Sequence, residues 1–177
     1  MLREQETLMT LSKADHSFGA FYDKNSTILI LGSFPSVKSR EQGFYYGHPS
    51  NRFWKVIAFI FQRKEPVTIK EKQALLRTCH IALYDVIDSC MIAGSADSSI
   101  TDVKVTDLSP ILSTSSIGER IFVNGKTAYN LYMKYQYPIY HITPTCLPST
   151  SAANARWRLD DLIRDWRIIT GSDVKWL

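Results

Sequence analysis

Short apolar runs bounded by turn residues recur along the chain and predict buried β-strands. Three of them occupy residues 27–31 (TILIL), 81–86 (IALYDV) and 120–123 (RIFV), and a fourth, residues 139–142 (IYHI), follows Pro138. β-Branched and aromatic side chains dominate these runs, as is typical of parallel strands that are covered on both faces. The pattern therefore predicts a four-stranded, mostly parallel central sheet.

Helical patterns alternate with these strands. They cover residues 51–61, with Ser50 as a candidate N-cap, and residues 68–78, 126–135 and 152–169, the last with one apolar face. Strands that alternate with helices predict an α/β fold, with the sheet as the middle of three α/β/α layers. The chain contains no repeat, low-complexity tract or linker, so we expect a single domain over residues 1–177.

Three connecting segments follow the carboxyl ends of predicted strands, and they cover residues 32–50, 85–106 and 143–154. In open sheets of this kind, ligands bind beyond the carboxyl ends of the strands. We therefore expect these loops to carry the functional residues.

Composition narrows the function classes only modestly. A net charge of +4 permits a polyanionic partner without demanding one. No apolar run approaches the roughly 18 residues of a membrane helix, and Arg3, Glu4 and Glu6 precede any apolar stretch, unlike a signal peptide. We therefore expect a cytoplasmic protein without membrane contact, and nothing in the sequence suggests more than a monomer.

Metal and cofactor sites find no support in the sequence. The three cysteines are odd in number and include no C-x-x-C pair, and the four histidines are widely separated. Such spacing is unlike that of zinc or iron–sulfur ligands. We therefore expect neither a metal nor a cofactor.

Residues 32–54, GSFPSVKSREQGFYYGHPSNRFW, combine aromatic and basic side chains in one loop. Such a mixture suits a base stacked in a pocket beside a phosphate backbone. Asn51 opens the helix that follows, where the amides of the first turn form a polar patch. The alternative interpretation is that the aromatic residues belong to the core and that Asn51 is only a cap.

The G-x-x-P pattern within GSFPS (residues 32–36) and the block HPSNRFW (residues 48–54) resemble the mismatch-specific branch of the uracil-DNA glycosylase superfamily. LPSTSAANARW (residues 147–157) stands where that superfamily has its second active-site motif. With VNGKTAY (residues 123–129) between them, the chain is most similar to the hypoxanthine-DNA glycosylase branch. The resemblance implies a monofunctional enzyme that removes a deaminated base from DNA and leaves an abasic site, with no metal or cofactor.

The resemblance also implies candidate catalytic residues. Phe34 occupies the position at which the mismatch-specific branch has a water-orienting Asn, so Asn51 is the nearest polar candidate for that task. Asp85, at the end of the second predicted strand, could accept the proton of the water or stabilise a cationic sugar. The alternative for Asp85 is a helix or loop cap.

The base-binding candidates are Tyr46, Phe34 and Asn124. Tyr46 aligns with the aromatic residue that stacks on the flipped base in related enzymes, and Phe34 could cover the other face. The amide of Asn124 could read the base edge, because it both donates and accepts. Its alternative is a turn residue before Gly125. We expect the His48 ring to pack against its loop rather than to act as a general base.

The second motif and the first loop supply the DNA-binding candidates. Leu147 replaces the His or Asn that often stabilises the departing base, which suits a purine better than uracil. Ser151 could instead cap the last helix. The residues that we expect to contact the phosphate backbone or the gap left by the base are Ser36, Lys38, Pro148, Ser149, Thr150, Ser151, Asn154 and Arg156.

Two other functions stay open at this point. A glycosylase for uracil or thymine opposite guanine is the first, although Phe34 and Leu147 argue against it. A DNA protein that binds lesions without cutting is the second, because fold does not fix function. A small-molecule hydrolase is disfavoured, since the chain has no G-x-S-x-G elbow.

Overall fold

The computed structural model describes residues 10–171 of the chain. Residues 1–9, on which the prediction about a signal peptide rests, and residues 172–177, which end the predicted domain, lie outside that range. The described strands are β1 (Ser12–Asp15), β2 (Ile28–Gly32), β3 (Ile81–Asp85), β4 (Ile87–Ile92), β5 (Thr101–Val105), β6 (Ile121–Asn124) and β7 (Thr145–Leu147). The described α-helices are α1 (Val37–Gln42), α2 (Phe53–Ile60), α3 (Ile69–Thr78), α4 (Ser109–Thr114), α5 (Lys126–Tyr135), α6 (Tyr137–Tyr140) and α7 (Leu159–Trp166).

The central sheet has four parallel strands in the order β3-β2-β6-β7. Every residue of β2 is buried. Ile28 and Ile30 face one core, whereas Leu29 and Leu31 face the other, because successive side chains of a strand point to opposite sides. A strand covered on both faces reads as the continuous apolar run seen in the sequence.

Helices cover both faces of this sheet. The face that carries Ile30 packs against α2, α3 and α7, with Phe53, Leu76 and Trp166 among its buried residues. The opposite face packs against α4 and α5, with Ile111 and Tyr132 in its core. The predicted α/β fold, with a parallel sheet flanked by helices, is confirmed.

The prediction of a strand over residues 139–142 is wrong, because residues 137–140 form the short helix α6. The fourth strand of the central sheet is β7. Pro138 sits in the first turn of α6, where a missing amide hydrogen costs nothing. The amides of Ile139 and Tyr140 both donate to the Gln136 carbonyl. A run of four residues carries too little periodicity to separate a helix from a strand.

Two helix boundaries also differ from prediction. Helix α2 begins at Phe53, and the Asn51 side chain rather than Ser50 accepts the amide of Phe53, at 3.0 Å. The last helix begins at Leu159, so the first part of the predicted 152–169 helix is a series of turns. The amides of Asn154 and Trp157 close these turns by donating to the carbonyls of Ser151 and Asn154, respectively. Arg52 donates to the same two carbonyls, as described below.

A second, antiparallel sheet in the order β1-β4-β5 lies where the sequence predicted a loop over residues 85–106. Strand β4 begins two residues after β3 ends, so this sheet starts at the carboxyl edge of the central one. Phe21 forms an antiparallel bridge with Leu83, which fastens the N-terminal segment to the edge of β3. The N-terminal segment is thereby placed beside the carboxyl ends of the central strands.

Within residues 10–171, no helix has both the length and the apolar character that crossing a membrane requires.

Candidate active site

A cleft of about 410 Å³ opens at the carboxyl ends of β2, β3 and β6. Such a volume is typical of a small-molecule or base-sized pocket. It brings together most of the candidate residues, from loops far apart in sequence. The candidates that line it are Phe34, Ser36, Lys38, Tyr46, Asn51, Asp85, Asn124, Ser149, Thr150 and Ser151. The candidates that do not line it are Pro148, Asn154 and Arg156.

Asn51 is fixed by its side-chain oxygen. Its Oδ1 accepts the amide of Phe53 at 3.0 Å and the Thr150 hydroxyl at 2.8 Å. Because both partners are donors, they also settle which end of the amide is oxygen. The Nδ2 atom makes no hydrogen bond to another described residue, so Asn51 offers the cleft a donor.

Thr150 joins the two sequence motifs. Its hydroxyl donates to Asn51 and accepts from Asn124 Nδ2 at 2.9 Å, while its amide donates to Asn124 Oδ1 at 3.0 Å. The residue is fully buried. Its hydroxyl therefore has no room for the expected phosphate contact, and we assign Thr150 a positioning role instead.

Asn124 is the last residue of β6, and both ends of its side-chain amide bind Thr150. Its Nδ2 donates to the Thr150 hydroxyl, and its Oδ1 accepts from the Thr150 amide. An amide nitrogen has a second hydrogen, and the oxygen has a second lone pair, so capacity for a base remains. Gly125 follows with φ = 97°, and a Cβ there would lie 3.0 Å from the Cβ of Ser149. Glycine is therefore required for this loop to approach the second motif.

Arg52 holds the second motif in place. Its guanidinium donates to the carbonyls of Ser151 at 2.8 Å, Asn154 at 3.2 Å and Trp157, and its Nε donates to the Thr150 carbonyl at 3.3 Å. The planar fork of arginine suits several acceptors at once, which a lysine could not match. Sequence reasoning missed this role, although the arginine lies within the HPSNRFW block.

Asp85 ends β3 and is nearly buried, with its side chain 5% exposed. Its Oδ2 lies 2.8 Å from Nε2 of His16, whose side chain is 1% exposed. Its Oδ1 would lie 2.4 Å from a Cβ on Gly32, so only glycine fits beside the carboxylate. Sequence reasoning missed His16, because nothing in a linear pattern links residues 69 positions apart.

Tyr46 stacks on Phe53, with ring centroids 3.9 Å apart and planes inclined by 21°. Its buried hydroxyl has no hydrogen-bond partner among the described residues. Burial, and to a lesser degree the Asp85 carboxylate, raise the pKa of Tyr46 far above its usual range, while the nearby Asn124 amide, which would donate to a tyrosinate oxygen, opposes the shift. The hydroxyl therefore stays protonated and is an unused donor beside the cleft.

Phe34 is 8% exposed and packs with Ile87, Cys90 and Ile92 of the second sheet. The guanidinium of Arg40 lies over its ring, 5.4 Å from the centroid. Most of the Phe34 ring therefore belongs to the hydrophobic core, as the alternative interpretation of the loop aromatics held, and only a small part of the ring reaches the cleft.

The loop between β4 and β5 forms a further wall of the cleft. Ser95 Oγ accepts the amide of Val37 at 2.9 Å, and Gly94 accepts from Arg40 at 3.2 Å. Ser33 Oγ donates to Asp97 at 3.2 Å. Asp97 is a cleft residue that sequence reasoning did not single out.

The remaining candidates lie at the rim or behind it. Ser36 caps α1 by accepting the amide of Ser39, and the exposed Lys38 pairs with Glu41 at 3.2 Å. Ser149 and Ser151 line the cleft mouth, and the amide of Ser151 donates to Ser149 Oγ. Arg156 is exposed outside the cleft.

Pro148 and Asn154 make internal contacts. The Pro148 carbonyl accepts Nε1 of Trp166 at 2.9 Å, and Asn154 Nδ2 donates to the Ser149 carbonyl at 3.0 Å. Nδ1 of His48 accepts the amide of Ser50 at 3.1 Å, and the exposed ring lines the cleft. Ser151 does not cap α7, whose N-cap is Arg158.

Among the described residues, no group of three or more histidine, cysteine, aspartate or glutamate side chains is arranged to hold a metal ion.

Comparisons with known proteins agree with this architecture. The model of the uracil DNA glycosylase superfamily matches residues 19–168. A hypoxanthine DNA glycosylase from Methanosarcina acetivorans is 33% identical over 146 residues, which cover 79% of this chain and 88% of that protein. A hypoxanthine DNA glycosylase from Methanosarcina barkeri is 30% identical over 110 residues, or 62% of this chain and 70% of that protein.

A solved structure has the same fold. It is the solution NMR structure of a protein from Methanosarcina acetivorans, described as a candidate uracil DNA glycosylase, and it superposes with a TM-score of 0.69 at 30% identity. The match covers 86% of this chain and 96% of that one. Together with the match over residues 19–168, these similarities show that the chain belongs to the uracil DNA glycosylase superfamily and is a DNA glycosylase.

Proposed function

We propose that the protein is a deoxyinosine-DNA glycosylase, which hydrolyses the N-glycosidic bond of hypoxanthine in DNA and leaves an abasic site. The observation that carries this proposal is the 33% identity with a hypoxanthine DNA glycosylase over most of both chains. The cleft supports it, because the cleft offers unused polar groups of the kinds that a base and a sugar need.

Base recognition is the first requirement, since the target must leave the helical stack to reach the cleft. Hypoxanthine presents an N1–H donor beside an O6 acceptor. The Tyr46 hydroxyl is an unused donor, and the second hydrogen and lone pair of Asn124 add capacity of both kinds. Tyr46 has one face against Phe53, so its other face is the one available for stacking on the base.

Water positioning is the second requirement. The free Nδ2 of Asn51 can donate to the oxygen of a water, but it cannot take its proton. Asp85 Oδ1, which makes no hydrogen bond to another described residue, supplies an acceptor in the same cleft. We assign Asn51 to orienting the water, and Asp85 to accepting its proton or stabilising the cationic sugar.

Departure of the base is the third requirement. Leu147 is buried in the core and offers no polar group to a leaving base. The Tyr46 hydroxyl and the Asn124 amide lie on the cleft side instead and can donate to O6 or N7 of a purine. Donation at these atoms stabilises negative charge as the glycosidic bond breaks.

The candidates for contact with the DNA backbone are residues at the rim of the cleft and on the surface around it. Ser36, Ser149 and Ser151 bring hydroxyls and Lys38 brings a positive charge to the lining of the cleft, while Arg156 is exposed outside it. Such contacts fix the enzyme on the duplex without reading sequence. The net charge of +4 favours this association.

The proposal is tested by single-turnover cleavage of labelled duplexes that carry one inosine, uracil, thymine mismatch or xanthine, each followed by alkali. We expect the fastest cleavage at inosine. Cleavage mainly at uracil or mismatched thymine would instead establish the mismatch-specific activity. Retained binding with no cleavage of any duplex would establish a lesion-binding protein.

Asn51→Ala should lower the single-turnover rate on inosine DNA by about 10²-fold, because a positioned donor is lost. The control is Asn25→Ala, an exposed residue at the amino end of β2, which should leave the rate unchanged. A wild-type rate in a folded Asn51→Ala protein would rule out the assigned role.

Tyr46→Phe should lower the same rate by about 3- to 10-fold, the worth of one net hydrogen bond. It keeps the ring on Phe53, whereas Tyr46→Ala also removes base stacking worth about 1–3 kcal/mol and should be slower still. Tyr135→Phe, in the last turn of α5, is the matched control. Full activity of Tyr46→Phe beside a slow Tyr46→Ala would leave stacking as the only function of Tyr46.

A further inference from the structure

The segment that precedes β2 is fastened beside the cleft at several points. The amide of His16 donates to the Asp88 carbonyl at 2.7 Å, and Phe21 and Leu83 exchange backbone hydrogen bonds of 2.9 and 2.8 Å. Between them, the Tyr45 hydroxyl donates to the Gly19 carbonyl at 2.9 Å. The backbone on both sides of the His16 side chain is therefore held in place.

His16 enters an aromatic enclosure. Its ring centroid lies 4.7 Å from that of Phe18, 5.3 Å from Tyr84, 5.9 Å from Tyr45 and 6.3 Å from Phe34. The His16 side chain is 1% exposed and the Asp85 side chain 5% exposed, and a buried carboxylate oxygen without a partner would be costly. The only hydrogen bond that reaches Oδ2 of Asp85 from residues 10–171 comes from His16 Nε2, at 2.8 Å.

The other ring nitrogen indicates the direction of this bond. His16 Nδ1 is buried and has no partner among the described residues. A hydrogen on Nδ1 would be an unsatisfied buried donor, whereas the tautomer with its hydrogen on Nε2 places that hydrogen on the Asp85 carboxylate. His16 is thus arranged to donate.

We infer that His16 is a positioning residue for Asp85. It holds Oδ2 away from the cleft, and it thereby orients Oδ1 over the bare backbone of Gly32, where a side chain would collide with it. His16 lies outside residues 19–168, over which the superfamily model matches, whereas its partner Asp85 lies inside them. The inference rests on the proposed function in one respect, namely that Oδ1 takes part in the reaction.

The test compares His16→Phe, which keeps a ring but removes the donor, with His16→Gln, whose amide nitrogen can reach the position of Nε2. Each is measured for single-turnover cleavage of inosine DNA and for affinity to a duplex with an uncleavable inosine analogue. We expect His16→Phe to be at least about 10-fold slower, with affinity within about 3-fold, and His16→Gln to recover most of the rate. The control is Phe59→Leu, at an exposed position of α2 that does not line the cleft, and it should stay close to the wild type.

A double-mutant cycle with Asp85→Asn identifies the route of the effect. If His16 acts through Asp85, His16→Phe should slow the Asp85→Asn protein by less than about 3-fold further. Full additivity of the two losses, or a His16→Gln protein that is folded but as slow as His16→Phe, would overturn the inference.

Failure of the proposed function is recognised separately. If the wild type cleaves none of the duplexes, the free energies of thermal unfolding of the wild type, the two single variants and the double variant replace the cleavage rates in the double-mutant cycle. A ¹⁵N spectrum of the histidine rings then shows which nitrogen of His16 carries the hydrogen. If the effects of the two substitutions on unfolding are not additive and the hydrogen is on Nε2, His16 positions Asp85 even though the proposed substrate is wrong. Additive effects on unfolding, or a hydrogen on Nδ1, would refute the positioning itself.

Discussion

The cleft depends on one buried hydroxyl. Thr150 Oγ1 donates to Asn51 and accepts from Asn124, at 2.8 and 2.9 Å. These three residues come from the start of α2, the end of β6 and the loop after β7, so a single side chain sets the distances among three loops. Only a group that donates and accepts at once can make this bridge, which explains a hydroxyl in a fully buried position.

Internal hydrogen bonds then decide which polar atoms remain for DNA. The oxygen of Asn51 and one oxygen of Asp85 are committed to Thr150 and His16. What is left are the Asn51 amide hydrogens, Asp85 Oδ1 and the Tyr46 hydroxyl, on side chains that Thr150, His16 and Phe53, respectively, hold in place. Such preorganised groups act on a reacting centre without having to reorient, which is the main source of catalysis in a site without bulk water.

Much of this fold was accessible from the sequence. Apolar runs predicted β2, β3 and β6, because strands covered on both faces carry no polar interruptions. The rule that ligands bind at the carboxyl ends of strands predicted the position of the cleft. Strand β7 was not predicted, because three residues are too few to show a periodic pattern of apolar positions. The second sheet was not predicted, because its strands are partly exposed and irregular in register.

The site was predicted less completely, and the omissions share a physical cause. Asn51 and Asp85 lie beside a helix start and a strand end that the pattern predicted, whereas Tyr46 was singled out through the resemblance to the glycosylase family. Arg52 and His16 act through contacts with residues about 100 and 69 positions away, respectively. Thr150 was expected to contact the DNA backbone, because it lies in the block that resembles the second active-site motif, and only the packed structure places its hydroxyl inside.

The most direct measurement of this account is the single-turnover rate of Thr150→Val on inosine DNA, beside Thr150→Ser, with thermal unfolding of both. Valine has nearly the shape of threonine but cannot bridge Asn51 and Asn124, whereas serine keeps the hydroxyl. The account predicts a folded Thr150→Val protein that is at least about 10-fold slower than Thr150→Ser. Equal rates for the two proteins would contradict it.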